Sequence, residues 1–590
     1  MNNRILRIGG ASGAWGDSPM AIGQLLTAKI DYLTMDYLAE VTMSLMARAR
    51  MKNPAFGFPP DAIAYLKPHL PEIARRGIKV VTNAGGVNPL GCKAALEAVI
   101  AEAGLDLTVA AVTGDDLLPQ LDQLRAMGLH EAETGAPIPD DLLTANAYLG
   151  ALPVRDALAA GADIVVTGRC ADSALALGAL MHEFGWAEDA HDLLAAGSLV
   201  GHVLECGPQA TGGTFTDWAD VEGWDNIGYP IAAVAANGSF EISKPEGTGG
   251  LVSVGTVSEQ VLYEIGDPAA YILPDVVADF SGVQVEQSGP NRVRLTGARG
   301  RPPTPDYKVS ATWQDGWRAV LSVSIVGPDA GAKAEKTARA MIDRAEAAFA
   351  RTGLPPFRAT RIEALGAESA YSDGPGALPT REVLLRLVVD HEDRGALNLF
   401  AREAGSIGIS MAPGTTGIYS GRPKPSPVVR LFTLLVPKLA APAPQIHVAD
   451  DDPRPVAIHP GQPTAPVPAI TPAESALASG PTRKAPLRAL AWARSGDKGN
   501  RANIAIIARR PEFLPFLRRE VTPERILAHF SASISGPVDR FDAPGLNAMN
   551  FLLGDALGGG GMASQRIDPQ GKAYGQMALE MELDIPEAWL

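Results

Sequence analysis

The stretch DIVVTGRCADS, residues 163–173, shows how this chain is built. A short apolar run, Ile164 to Val166, ends in a polar loop that contains glycine and leads into helix-like sequence. The same combination occurs at residues 4–18, 78–89 and 107–116. Such apolar runs are typical of buried parallel strands, and open parallel sheets bind ligands in the crevice outside the carboxyl ends of their strands. The sequence therefore predicts an α/β enzyme in which four polar loops line one crevice.

Composition narrows the class of protein. The chain has 590 residues and a formal net charge of −15, which argues against nucleic acid or an anionic membrane as the main partner. Its three cysteines lie far apart, so we expect no disulfide framework and a reducing compartment. No apolar run approaches the roughly 20 residues of a membrane helix, and no signal-peptide pattern opens the chain. We expect a cytoplasmic protein.

The pattern of strands, helices and prolines predicts four segments. Residues 1–265 alternate strand-like and helix-like runs, which predicts an α/β ligand-binding or catalytic domain with an open, mostly parallel sheet. Residues 266–440 predict an α+β domain, with strands at 308–313 and 317–325 and an amphipathic helix at 330–351. A Pro-rich linker over 441–486 and a small ferredoxin-like α/β sandwich over 487–590 complete the prediction.

Two carboxylates near the N-terminus are candidate proton carriers. We predict a helix over residues 20–50, which places Asp36 and Glu40 one turn apart on the same face. The neighbouring Tyr, Leu and Met side chains are apolar, and carboxylates in apolar surroundings acquire raised pKa values that suit proton transfer. A solvated helix face remains the alternative.

The first two loops offer backbone amides that could hold an anion. The first contains Gly10-x-x-Gly13-x-x-Gly16, whose spacing departs from the dinucleotide fingerprint, and no acidic residue is predicted to end a second strand. We therefore expect no NAD site, and either a phosphate- or carboxylate-binding loop or a tight turn. The candidate anion-binding residues here are Gly10, Ser12, Gly13 and Asp17 in the first loop and Asn83, Gly85, Gly86 and Asn88 in the second.

Two further loops carry catalytic candidates. Arg169 could bind a carboxylate or phosphate through two parallel hydrogen bonds, and Asp172 could act beside it or merely cap a helix. Cys206 would need a base such as His202 to act as a nucleophile, and otherwise it packs as a small residue. Thr214, in the same Gly-rich loop as Cys206, is a candidate substrate contact.

The C-terminal domain has a dense polar run followed later by four consecutive glycines, residues 558–561. This run predicts an anion site, for example for the phosphates of coenzyme A, and an exposed hairpin turn is the alternative. Its residues are Arg494, Ser495, Gly496, Asp497, Lys498, Gly499 and Asn500.

Metal and nucleotide motifs are missing from the sequence. It contains no HExxH, no zinc-type Cys/His spacing and no phosphate-loop motif. We therefore predict no metal site, with a carboxylate-bound Mg²⁺ at Asp36, Asp115 and Asp116 kept as an alternative.

Several of these motifs together resemble one family. The stretches IGGASGAWGDS (8–18), DYLTMDYLAE (31–40) and NAGG (83–86) resemble the acyclic terpene utilisation AtuA family. The run at 494–500 resembles the ferredoxin-like domain attached to many of its members, so the resemblance spans nearly the whole chain. It implies a part in the bacterial catabolism of citronellol and geraniol through branched acyl-CoA thioesters. It supplies no catalytic residues.

These observations together predict an enzyme that acts on a branched-chain or terpenoid acyl-CoA as a hydratase or a carbon–carbon lyase, in a homo-oligomer. The substrate is a coenzyme A thioester, and no cofactor is firmly implied. We expect Arg169 to bind a carboxylate, the amides of the first two loops to stabilise oxyanion charge, and Asp36 or Glu40 to move the proton. The loop at 495–500 would bind the coenzyme phosphates or another subunit. The alternative is a non-catalytic acyl-CoA-binding or assembly subunit of a carboxylase or dehydrogenase system.

Overall fold

A computed structural model describes residues 4–371, 379–418, 421–449, 451–463 and 480–590, without the side chains of Glu40 and Val41. Within these ranges the helices α1 to α16 span, in chain order, Met20–Leu26, Glu40–Lys52, Pro60–Leu66, Leu70–Arg76, Pro89–Glu102, Leu121–Ala126, Leu152–Ala159, Ala174–Phe184, His191–Leu204, Val254–Val261, Ala330–Thr352, Arg394–Glu403, Ile407–Ser410, Leu514–Glu520, Pro523–His529 and Tyr574–Ala578.

The strands β1 to β26 span, in chain order, Ile5–Gly10, Tyr32–Met35, Lys79–Thr82, Val109–Thr113, Leu142–Ala147, Ile164–Thr167, Ile231–Ala235, Phe240–Ser243, Tyr271–Ile272, Val277–Asp279, Gln284–Gly289, Arg292–Thr296, Arg299–Arg301, Asp306–Val326, Ala359–Leu365, Glu382–His391, Thr415–Ile418, Ser426–Pro437, Gln445–Val448, Arg454–Pro455, Thr482–Pro486, Ala491–Lys498, Arg501–Ala508, Val538–Ala543, Ala548–Leu553 and Glu582–Pro586.

The largest sheet is parallel at its centre. Its order is β11-β12-β8-β7-β1-β2-β3-β6-β4-β19-β20, and the five strands from β1 to β4 in this order run parallel, whereas the flanking strands pair antiparallel. Buried side chains of α1, α3, α4 and α5 cover one face and those of α7, α8 and α9 cover the other. The predicted α/β class is confirmed. The carboxyl ends of the five parallel strands meet at one edge, as expected for a ligand-binding crevice.

One predicted helix is wrong. Residues 20–50 form α1, the strand β2 and then α2, instead of one continuous helix. All four residues of β2 are buried, so the strand lacks the alternation of apolar and polar residues that identifies a half-exposed strand. Asp36 therefore follows a strand at the carboxyl edge of the sheet. The side chain of Glu40, in the first turn of α2, lies outside the described part of the chain.

A second sheet is built around the 21-residue strand β14. Its first half pairs with β5 and β18, and its second half pairs with β16 and β17. The predicted segments share their strands: β5 comes from the segment 1–265, while β11, β12 and β19 lie in the large sheet although they follow residue 265. Strands from each predicted segment therefore take part in the sheet of the other segment.

The C-terminal domain packs directly against the first. Its antiparallel sheet has the order β22-β23-β25-β24. Two fully buried asparagines on this sheet, Asn503 and Asn550, donate to the backbone oxygens of Leu262 (2.9 Å) and Ile265 (2.6 Å), and Asn503 Oδ1 accepts from the amide of Glu264 (3.1 Å). The hydrogen bonds of these two buried side-chain amides fix the geometry of the contact between the domains.

No helix in the described ranges combines the length and the hydropathy that a membrane crossing requires.

Candidate active site

A cleft of about 1290 Å³ opens where the two large sheets and the C-terminal domain meet. Its lining includes the loops after β1, β2 and β6, residues of β14 and β18, and the tip of the β22–β23 hairpin. Ligand pockets commonly measure about 300–1,000 Å³, so this cleft is large enough for an extended ligand.

Asp36 lies on the floor of the cleft and is 8% exposed. Its Oδ1 accepts hydrogen bonds from Asn83 Nδ2 (2.6 Å) and from the amide of Leu38 (3.1 Å). Burial raises the pKa of Asp36 to about 6, although the Asn83 hydrogen bond and the positive charge of Arg169 oppose the rise. Asp36 is therefore a carboxyl group that can both accept and release a proton near neutral pH.

Arg169 lines the cleft but is firmly anchored, since it is only 3% exposed. Its Nη1 donates to the backbone oxygen of Leu38 (2.7 Å) and to Asp172 Oδ1 (2.8 Å), and its Nη2 donates to the hydroxyl of Tyr148 (2.9 Å). The guanidinium also lies over the Tyr148 ring, 4.2 Å from its centre. These contacts fix a positive charge beside Asp36, and they leave Arg169 less able to bind a carboxylate bidentately than we predicted.

Asp172 does not cap α8, because its carboxylate faces the cleft and pairs with Arg169. Below both residues, the buried Asp115 accepts from the amide of Arg169 (2.9 Å) and from Asn146 Nδ2 (2.8 Å). Burial raises the pKa of Asp115 to about 7. Asp115 does not line the cleft and acts as a support for the loop after β6.

Cys206 lines the cleft, but its surroundings disfavour a nucleophile. Burial, together with the negative charges of Glu205 and Glu264, raises the pKa of the Cys206 thiol well above its usual value. The base that we considered for it, His202, is engaged elsewhere: Nδ1 lies 2.9 Å from Glu205 Oε1 and Nε2 lies 3.2 Å from the backbone oxygen of Val261. The thiol is therefore not activated by His202.

In the first two loops, the polar groups bind other parts of the protein rather than facing a ligand. Of their predicted anion-binding residues, Gly13 lines the cleft, and its amide already donates to Asp17 Oδ2 (2.9 Å). The others hold neighbouring segments together. Ser12 donates to the backbone oxygen of Asp36, and Asn83 donates to the Asp36 side chain. Gly10 packs against the backbone of Leu204, and Asn88 caps α5. The amide of Gly85 donates to the backbone oxygen of Thr167, and the amide of Gly86 donates to that of Asn83.

This arrangement corrects two expectations. The amides of Gly13, Gly85 and Gly86 are bound within the protein, so the expected oxyanion site is not formed by them. One argument against a dinucleotide site also fails, because Asp36 does follow a second strand. The glycine spacing still departs from the fingerprint.

The predicted C-terminal loop is a β-hairpin whose tip reaches the cleft. Lys498 pairs with Arg501, and Gly499 and Asn500 form the two-residue turn between them. Asp497, Lys498, Gly499 and Asn500 line the cleft, and Asn500 Oδ1 accepts from the amide of Gly559 in the tetraglycine segment (2.7 Å). The run therefore forms the hairpin turn that was the alternative, and its tip is part of the cleft wall; the anion site stays a prediction.

The remaining members of this run join domains. Arg494 donates to the backbone oxygen of Thr214 (3.0 Å), and Ser495 Oγ accepts from the amide of Gly575 (2.8 Å). Gly496 has no room for a side chain, because an added Cβ would lie 2.6 Å from Glu264 Cγ. Arg494, Ser495, Gly496 and Thr214 are thus structural.

Residues that we did not predict complete the cleft wall. Lys572 Nζ donates to Glu264 Oε1 (2.7 Å) and lies 3.5 Å from Asp497 Oδ1. Burial acts to raise the pKa of Glu264, but Lys572 and Lys498 outweigh it and lower that pKa. Glu264 also has a φ of +54°, a strained conformation for a residue with a side chain. No local pattern marks Lys572 or Glu264, because they meet only through the domain contact.

Glu205 and Tyr148 are the other residues that sequence reasoning missed. Glu205 is adjacent to Cys206, and its proximity to His202 three residues earlier was the available signal. No group of three His, Cys, Asp or Glu side chains within the described ranges is arranged to hold a metal ion.

Two family models match the chain. Residues 6–447 match the acyclic terpene utilisation family protein AtuA, and residues 485–584 match the AtuA ferredoxin-like domain. The predicted family and the predicted fold of the C-terminal domain are confirmed. No curated protein and no solved structure matches.

Proposed function

The chain belongs to the acyclic terpene utilisation AtuA family, and we propose that it is an enzyme that adds or removes water, or cleaves a carbon–carbon bond, in a branched acyl-CoA thioester. The observation that carries this proposal is Asp36, a buried carboxyl group with a pKa of about 6 on the floor of a large cleft. Hydratases and carbon–carbon lyases both require a group that takes up and returns a proton near neutral pH.

The cleft offers both kinds of surface that such a substrate needs. Its lining contains Leu38, in the same loop as Asp36, and Trp15, in the loop after β1, which offer apolar surface to a branched acyl chain. The wall contributed by the C-terminal domain carries Lys498 and Lys572, whose ammonium groups suit the phosphates of coenzyme A.

Arg169 supports the chemistry electrostatically. Its charge is held beside Asp36 by Leu38, Asp172 and Tyr148 and cannot move away. A fixed positive charge in a buried site stabilises negative charge that develops on a thioester oxygen when the neighbouring carbon loses a proton. Because the group is already in place, little reorganisation is needed during the reaction.

Thermal unfolding of the purified protein with coenzyme A and with branched acyl-CoA thioesters tests the proposal. A ligand at about 100 times its dissociation constant stabilises the folded state by roughly 2.7 kcal/mol. We expect stabilisation by thioesters, and we expect hydration or cleavage of the stabilising thioester to be lost in Asp36→Asn while that stabilisation remains. Asp189→Asn, at an exposed carboxylate, is the matched control.

The outcomes separate the two functional classes. Thioester binding without turnover by the wild-type protein would favour the non-catalytic acyl-CoA-binding or assembly subunit. No stabilisation by any thioester would contradict both.

A further inference from the structure

A buried histidine and a carboxyl group at the cleft share a proton. His202 is 1% exposed, and its Nε2 lies 3.2 Å from the backbone oxygen of Val261. A carbonyl oxygen only accepts, so Nε2 carries the hydrogen. Nδ1 then lies 2.9 Å from Glu205 Oε1. A lone pair on Nδ1 and a carboxylate oxygen would repel at this distance, so one proton lies between them, on either Glu205 or Nδ1.

A second, small cavity is lined by both Glu205 and Asp36. It measures about 10 Å³, close to the size of one water molecule, and its lining includes Ser12, Asp36, Asp172 and Glu205. Glu205 and Asp36 also both line the main cleft. The carboxyl groups of Asp36 and Glu205 therefore line both the main cleft and the small cavity.

The remaining charged and titratable groups around Glu205 come from four elements. Asp36 follows β2, Arg169 and Asp172 follow β6, Cys206 and His202 belong to α9 and its end, and Tyr271 lies in β9. Of these, His202 is the group hydrogen-bonded to Glu205 through a titratable nitrogen. Tyr271 and Phe280 pack against the His202 ring and keep it in place.

We propose that Glu205 is the general acid that complements Asp36 as the base, and that His202 positions Glu205 and stores its proton. This inference rests on the proposed function and adds to it a second catalytic residue.

The proton balance can be written for the removal of water from a β-hydroxyacyl thioester. Asp36 takes the proton from the carbon next to the thioester carbonyl, and that C–H electron pair becomes part of the new double bond. The C–O bond breaks, its electron pair leaves with the oxygen, and the oxygen takes the proton of Glu205 and departs as water. Asp36 then holds a proton and Glu205 lacks one. A water in the small cavity can pass it back, and the reverse sequence adds water.

The first test is independent of turnover. The protein has nine histidines, so ¹⁵N-labelling of histidine gives few signals, and His202→Gln assigns the one of interest. We expect Nε2 of His202 to be protonated in the wild-type protein. A neutral ring protonated on Nδ1, with Nε2 bare, would overturn the shared proton.

The second test separates an acid from a structural residue. We expect Glu205→Gln to lower kcat by about 10²–10⁴-fold and to leave thioester binding intact, because a general acid acts on the reacting atoms and not on binding. We expect His202→Gln to lower kcat less than Glu205→Gln does, to leave thioester binding intact, and to leave in place the acidic limb of the pH–rate profile, which reports Asp36. Glu246→Gln, at an exposed position, is the control.

The results distinguish this inference from the proposed function. A wild-type protein that turns over no thioester overturns the proposed function and the acid role together. If the wild-type protein turns over a thioester and the folded Glu205→Gln variant keeps the wild-type kcat, the acid role alone is overturned.

Discussion

Replacing Asp36 by Asn should make the protein more stable at neutral pH while removing its activity. Asn has nearly the same shape as Asp, and its side-chain oxygen can still accept from Asn83 and from the amide of Leu38. What it removes is a negative charge that the buried environment disfavours. A functional group whose charged form is disfavoured by burial lowers the stability of the folded protein while it supports activity.

The size of the effect follows from the pKa of Asp36, which burial raises from 3.8 to about 6. The folded protein therefore binds the proton more tightly than the unfolded chain. Well below pH 4 both states are protonated and no penalty arises. Between about pH 4 and 6 the unfolded chain loses the proton while the folded protein keeps it, so stability falls by about 1.36 kcal/mol per pKa unit, or roughly 3 kcal/mol in total once the folded carboxyl has also ionised.

The assay is thermal unfolding of the wild-type protein and Asp36→Asn at several pH values between 4.5 and 8. We expect the difference in stability to be about 1 kcal/mol at pH 4.5 and to grow in favour of the variant to roughly 3 kcal/mol at about pH 7. Asp189→Asn, at an exposed carboxylate, should show no such growth. A variant that is less stable than wild type at pH 7.5, or a difference that does not change with pH, would refute a buried carboxylate of this kind.

Three other substitutions test how the cleft is held together, each by thermal unfolding. Gly13→Ala should destabilise by about 1–3 kcal/mol and weaken ligand binding, because its Cβ would lie 2.7 Å from the backbone carbon of Cys206. Asn503→Ala should cost about 2–4 kcal/mol, since it removes three buried hydrogen bonds and leaves backbone groups without partners. Arg318→Leu should cost about 3–5 kcal/mol, because Arg318 pairs with the buried Asp390 and binds three backbone oxygens of residues 562–564. A cost below about 0.5 kcal/mol would contradict the corresponding contact.

Elements with strong local signals were predicted well. The amphipathic pattern at residues 330–351 corresponds to α11, and the apolar runs with polar loops correspond to β1, β3, β4 and β6. In contrast, β2 contains Thr34 within its short apolar run and is followed by no glycine loop, so its sequence does not stand out from the helix-like residues on either side. Its sequence therefore predicts helix, and the apolar neighbours of Asp36 leave open whether that carboxylate is buried or lies on a solvated helix face.

The candidate site was predictable only where its residues follow strands of the parallel sheet. Asp36, Arg169 and Asp172 lie at carboxyl ends of such strands, and topology brings those ends together. Glu205 lies at the end of a helix, and Lys572 lies in another domain. Their positions depend on packing between elements far apart in the chain, which local periodicity does not encode.

The C-terminal domain completes the cleft rather than merely accompanying it. The backbone at Glu264 adopts a conformation that costs of order 1–3 kcal/mol, so it persists only if its surroundings hold it. Those surroundings come from the other domain: Asn503 binds its amide, Gly496 leaves room for its side chain, and Lys572 pairs with its carboxylate. Lys498 and Lys572, from the same domain, line the cleft that Asp36 also lines. A strained residue whose conformation is enforced across a domain boundary, in the wall of a cleft of about 1290 Å³, is better explained by a shared binding site than by a linker that joins two independent domains.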